Sequence, residues 1–142
     1  MCFFLYLASA NNLETKDWEI ENPQVVIDSK SDISFDKTEK FKKENIFVIS
    51  STEGCGCGFR QEFDVKYPDC VEAVQKIEKD KNQQQLCELL TKVLKNEDYV
   101  ELFSCWADDE ESEIEFQREI ILDELLEETF YFREKELIKV AK

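Results

Sequence analysis

The run Ile46-Phe47-Val48-Ile49-Ser50-Ser51-Thr52-Glu53-Gly54-Cys55-Gly56-Cys57-Gly58 joins two unlike halves. Its first four residues are β-branched or aromatic, the pattern of a strand buried on both faces. Its last five hold all three glycines of the 142-residue chain and two of its six cysteines. At average usage a chain of this length carries roughly ten glycines, spread over its turns. Glycine is placed where the backbone takes positive φ, or where another group must approach the main chain closely. The run therefore predicts a central strand that ends in one special turn, shaped by Gly54, Gly56 and Gly58, with the thiols of Cys55 and Cys57 built into it.

Outward from that turn, residues 2–8 predict a second double-faced strand, 25–27 a short one, and 99–106 a strand rich in β-formers. Residues 13–23, with Trp18, read as loop, and 28–45 as a charged, irregular segment anchored by Phe35 and Phe41. Residues 59–65 read as a short strand leaving the turn. Pro68-Asp69 opens a helical part: Cys70, Ala73, Val74 and Ile77 recur at helical spacing over 69–79. Leu86, Leu89, Leu90, Val93 and Leu94 do so over 83–96, with a break expected at Lys79-Asp80-Lys81-Asn82. Cys70 and Cys87 fall on or beside these stripes and read as core. Ile120-Ile121-Leu122 predicts a strand, 123–128 a helical turn, and Phe130-Tyr131-Phe132 with 137–140 a closing hairpin. A helix over 114–139 is the alternative, since Glu and Leu are good helix formers and no glycine interrupts. The expected fold is one α+β domain over 1–142: a mixed or antiparallel sheet with two helices packed on one face. No repeat or linker marks a boundary.

Composition bounds the function. Apolar residues at 42% and eleven phenylalanines describe a chain that folds. A net charge of −15 argues against direct contact with nucleic acid or anionic membrane, and suits a basic protein as partner. There is no histidine, the commonest general base and metal ligand. No apolar run approaches the ~20 residues that span a membrane. The opening Met1-Cys2-Phe3-Phe4-Leu5-Tyr6-Leu7-Ala8-Ser9-Ala10 has the apolar run and small-residue end of a signal peptide. No Lys or Arg precedes it, so it is read as an uncleaved strand of a cytoplasmic protein. In that compartment the cysteines are thiols, core residues or metal ligands rather than a disulfide framework.

Two stretches carry candidate chemistry. Cys55-Gly56-Cys57 can chelate a soft metal; a closed zinc site needs two further ligands, and Cys2 and Cys105 stand at strand ends. The other reading of the same glycines is a tight structural turn. If Met1 is removed, Cys2 gains an α-amine beside its thiol, a nucleophile–base pairing with no oxyanion partner in sight. A phosphate cradle fits less well, because no lysine follows the glycines and no helix opens behind them. The second stretch is 108–128, with eleven acidic residues against one basic, Arg118: −10 of the total −15. Asp108, Asp109, Glu110, Glu111 and Glu113, with Trp106 just before them, predict a surface for a basic partner. A solvated acidic face is the alternative. The spacing lacks the alternating ligands and central glycine of an EF-hand loop. The leading expectation is a non-enzymatic acidic binding protein, in the manner of an immunity protein or inhibitor. The alternative is a thiol or metal protein, zinc included, centred on Cys55 and Cys57. Nothing in the residues sets an oligomeric state.

The blocks Met1-Cys2-Phe3-Phe4-Leu5-Tyr6-Leu7-Ala8-Ser9, Glu53-Gly54-Cys55-Gly56-Cys57-Gly58-Phe59 and Glu101-Leu102-Phe103-Ser104-Cys105-Trp106 together resemble a group of small bacterial proteins of unassigned function. The resemblance carries no activity across. It implies a cytoplasmic protein with an uncleaved N-terminal strand.

Overall fold

The computed structural model describes residues 2–29, 40–70 and 72–142. Its frame is one six-stranded mixed sheet: β1 (Phe3–Ser9), β2 (Val26–Asp28), β3 (Asn45–Ser50), β4 (Tyr99–Trp106), β5 (Phe116–Ile121) and β6 (Glu136–Ala141). The order across the sheet is β2-β3-β1-β4-β6-β5. With α1 (Glu62–Lys66) and α2 (Ala73–Val93) this is the expected α+β class. The two most apolar runs of the sequence, β1 and β3, lie side by side and antiparallel, with Leu5 opposite Ile49. β1 pairs antiparallel with β4 on its other side, Phe4 opposite Cys105.

Alternation along the strands divides the core. Phe3, Leu5 and Leu7 of β1 join Phe47 and Ile49 of β3, Leu102 of β4 and Leu86, Leu90 and Leu94 of the α2 region on one face. Tyr6, Ala8, Val48, Phe103 and Cys105 form the other face, capped by Phe41, whose ring meets Phe103 edge-on at 6.4 Å. The carboxylate of Glu101, buried on that second face, accepts the N–H groups of Lys42 and Lys43 at 2.8 Å each and ties the 40–44 segment to the sheet. Phe35 and most of the irregular segment expected around it lie outside the described residues.

Four local expectations are corrected. The two helices expected over 69–79 and 83–96 are one helix, α2, preceded by a single 3-10 turn at Pro68–Cys70. Lys79-Asp80-Lys81-Asn82 does not break it, because lysine and the following glutamines are good helix formers and no Gly or Pro intervenes. Glu72 caps the helix, its N–H bonded to Gln75 at 3.0 Å in a capping box. Residues 59–65 are not a strand: Gln61 and Asp64 form another capping box, which opens α1 instead. The hairpin of 130–132 with 137–140 is absent. Phe130 and Phe132 are spent on the core, rings 5.1 Å apart, and β6 pairs antiparallel with β4 and parallel with β5. Finally, Cys70 is exposed rather than core, as are Val74 and Ile77 of the same stripe, because residues 72–78 are exposed throughout and nothing among the described residues covers that face. Cys87 is buried as expected. Among the described residues no helix is long and apolar enough to cross a membrane.

Candidate functional site

The chain between β3 and α1 is held in a compact loop over the open end of β1. Ser51 and Thr52 donate their N–H groups to the Cys55 carbonyl at 2.9 and 3.2 Å, and Cys55 donates back to Thr52 at 3.2 Å. Closing that turn requires Gly54 at φ +71, a conformation costly for a residue with a Cβ. The loop then docks on β1, with Gly56 N–H donating to the Phe3 carbonyl at 2.7 Å. A Cβ on Gly56 would stand 3.2 Å from the Phe59 ring and 3.4 Å from Leu5 N. At Gly58 the contact is closer still: a Cβ would lie 2.6 Å from Asn82 Nδ2 and 2.7 Å from Ser51 Oγ. Those two groups are themselves bonded to Gly58. Ser51 Oγ accepts its N–H at 2.8 Å and Asn82 donates to its carbonyl at 3.0 Å. One glycine thus serves a positive φ and two serve close approach.

This packing brings three sulfurs together. The Sγ atoms of Cys2, Cys55 and Cys57 all lie within 4.8 Å of one another. Cys2 comes from the residue just before β1, where its carbonyl accepts the Ala107 N–H at 2.7 Å. It is exposed, Cys57 is half-buried and Cys55 is buried, so the trio runs from surface to interior. Each of the two loop sulfurs has a polar partner. Phe3 N–H donates to Cys57 Sγ at 3.2 Å, and Thr52 Oγ1 lies 2.9 Å from Cys55 Sγ. The Cys57 thiol hydrogen-bonds Cys55 and is the main cause that holds Cys55 down, from the ordinary 9.0 to about 5, against the opposing effect of burial. Cys57, as that donor, is pushed up. The trio therefore shares its protons unequally, with charge favoured at position 55.

Cys105 does not belong to the site. It points to the second face of the sheet, packed with Tyr6 and Phe103, and burial pushes its thiol up to about 12. Alternation explains this: Cys105 lies opposite Phe4, one residue out of phase with Phe3 and Trp106. Trp106 is half-buried, its ring edge-on to Phe3 at 5.4 Å, and it lines a groove of about 520 Å³ with Cys57, Trp18, Gln61, Lys79 and Asn82. The residues missed by sequence reading are Thr52, Ser51 and Asn82. Only their contacts with the glycine turn mark them, and Thr52 and Ser51 alone are near in sequence.

The acidic stretch lies elsewhere in character. Asp108, with φ +74, and Asp109, Glu110, Glu111 and Glu113 occupy the turn after β4. Asp108, Glu111 and Glu113 are exposed, whereas Asp109 and Glu110 are partly covered. Further on, Glu115 pairs with Lys135 at 3.4 Å and Glu119 with Lys139 at 4.0 Å along the outermost strand β5. Charges there discourage edge-to-edge pairing of sheets, a role that needs no partner.

Comparison with protein-family models, with curated proteins and with solved structures found no match.

Proposed function

We propose that the protein binds a soft metal ion through Cys2, Cys55 and Cys57. One observation carries the reading: three sulfurs from two separate stretches converge within 4.8 Å. Zinc–sulfur bonds of about 2.3 Å put tetrahedral sulfurs about 3.8 Å apart, so ligation asks the trio to close by at most about 1 Å. The bonds from Phe3 N–H and Thr52 supply the outer support that orients thiolate ligands. With three protein sulfurs, a zinc ion would keep a fourth position for an exogenous ligand, and copper(I) is the competing soft ion. The reading requires reduced thiols and hence a cytoplasmic location. Titration of the reduced protein with Co(II) or Zn(II) tests it. One ion per chain is expected, with sulfur-to-cobalt charge-transfer bands. Cys57→Ser should weaken affinity by about tenfold or more, as loss of a ligand does, while Cys105→Ser leaves it unchanged. Absence of binding at one equivalent, or equal loss in Cys105→Ser, would overturn the reading.

A second reading rests on the acidic turn. Among the described residues no ion pair engages the exposed Asp108, Glu111 or Glu113, which leaves these carboxylates available to a basic protein. Such capture weakens as salt rises. A pull-down at low and high salt, with Asp108, Glu111 and Glu113 neutralised in parallel, checks it. A partner indifferent to both changes would count against an acidic interface.

A further inference from the structure

The three sulfurs differ in what can reach them. The exposed Cys2 is open to a molecule in solution, whereas Cys55 is only 6% exposed and is covered by the loop it closes. Both loop sulfurs have a polar partner, Phe3 N–H at Cys57 and Thr52 Oγ1 at Cys55, so depth separates them: Cys57 is half-buried and Cys55 buried. A reactive pair needs just this division: one thiol that meets the outside and one that waits behind it.

We propose that Cys2 and Cys55 form a dithiol pair that reduces small external disulfides, with Cys2 as the attacking thiol and Cys55 as the resolving one. In the first step the Cys2 thiolate attacks one sulfur of a disulfide R–S–S–R. A Cys2–S–S–R bond forms, the S–S bond of the substrate breaks, and R–S⁻ departs with its electron pair. In the second step the Cys55 thiolate attacks the Cys2 sulfur, expelling the second R–S⁻. The protein gains a Cys2–Cys55 disulfide and is oxidised by two electrons. The disulfide is reduced to two thiols, which carry away the two protons of the cysteines. The separation of at most 4.8 Å requires the sulfurs to approach before they bond. The backbone already brings the two stretches together through the 2.7 Å bond from Gly56 to Phe3. Cys70 is also exposed and lines the same groove as Cys57, so the test removes it.

The pair uses two sulfurs of the proposed metal centre, yet it needs no metal, and the two ideas fail separately. The test uses reduced, chelator-treated protein carrying Cys70→Ser, exposed to the chromogenic disulfide 5,5′-dithiobis(2-nitrobenzoate). Two thionitrobenzoates should be released per protein, leaving no adduct and a mass lower by two hydrogens. Peptide mapping should join Cys2 to Cys55. In Cys55→Ser the adduct should persist on Cys2 about tenfold longer or more, because the resolving thiolate is gone. Peptide mapping of the parent protein decides the matter even if that variant folds poorly. An adduct that stays on Cys2 with Cys55 present, or a bridge from Cys2 to Cys57, would overturn the assignment. Metal binding without the bridge would sink this inference and spare the metal reading, and a bridge without metal binding would do the reverse.

Discussion

Gly54 and Gly58 sit four residues apart, yet a methyl group harms each for a different reason. At Gly54 no atom stands within 4 Å of an added Cβ, so Gly54→Ala meets only the left-handed backbone penalty of about 1–2 kcal/mol. Asparagine tolerates that conformation, so Gly54→Asn should recover part of the loss. At Gly58 a Cβ displaces both groups that bond the residue's own N–H and C=O, and it stands 3.0 Å from Ser51 Cβ. Overpacking of this kind costs about 1–3 kcal/mol, and Gly58→Asn should be worse than Gly58→Ala. Urea unfolding of the four variants reads both orders. A better Gly58→Asn than Gly58→Ala would show that the loop yields and that close approach is not the reason for the glycine. The pentapeptide was legible in the sequence as a special turn holding thiols, because glycines so confined have few other uses. Which glycine does what was not legible, since that depends on Asn82, which is 24 residues away in the chain. A second residue-scale expectation concerns Cys55 in metal-free protein. Its folded pKa of about 5 lies below the ordinary 9.0, so between those values the unfolded chain binds more proton at this site. The stability contributed by Cys55 is thus fully present above pH 9 and is lost as pH falls through about 5. Thiolate ultraviolet absorbance should persist at neutral pH and disappear with a midpoint near 5. Cys57→Ala, which removes the largest cause of the shift, should move that midpoint upward. A midpoint left in place would mean that Cys57 is not the donor.

At the scale of elements, α2 is one helix with two different halves. Its second half lays Leu86, Leu90 and Val93 on the sheet, and Leu86 and Leu90 are fully buried. Its first half carries Val74 and Ile77 at 64% and 69% exposure. Truncation should therefore separate them. Leu90→Ala should cost about 2–5 kcal/mol, and Ile77→Ala should stay within about 0.5 kcal/mol. Chemical denaturation of the two variants measures the difference, and comparable losses would place Ile77 in a contact that its exposure denies. Helical spacing identified the stripe in both halves, because periodicity records which residues share a face. It does not record whether anything lies opposite that face, and this is why Cys70, beside that stripe, reads as core although it is exposed. The strands show the same limit. β1, β3 and β4 were legible from their apolar runs, and 99–106 was placed to the residue. The partner of β6 was not legible, because Phe130-Tyr131-Phe132 has the composition of a strand while its two phenylalanine rings fill the interior. The same blindness to facing put Cys105 in the site: residues at strand ends look near one another until the pleat sends them to opposite sides.

For the molecule as a whole the governing quantity is the excess of 33 acidic over 18 basic residues. Described ion pairs such as Arg60–Asp80 and Lys79–Asp64, both 2.8 Å, join partly covered groups, and Arg118 meets the buried Glu136 at 2.9 Å. Salt screens such short, covered contacts weakly. The remaining carboxylates repel one another over longer distances, where screening is strong. The Debye length falls from about 30 Å at 0.01 M salt to below about 8 Å beyond physiological strength, shorter than most separations across a domain this size. Added sodium chloride should thus remove more repulsion than attraction, and the native state should gain. A gain of about 1 kcal/mol corresponds to about 3 °C in Tm for a chain of this length. Calorimetric scans of metal-free protein at 0.01 and about 0.5 M sodium chloride measure it; sulfate is avoided, since it also strengthens burial by exclusion from the surface. Because repulsion acts on the whole folded body, neutralising Asp108, Glu111 and Glu113 together should reproduce part of the rise at low salt and shrink the salt response. A Tm that falls with salt would mean that the ion pairs, and not the surplus of carboxylates, set the electrostatic balance of the fold.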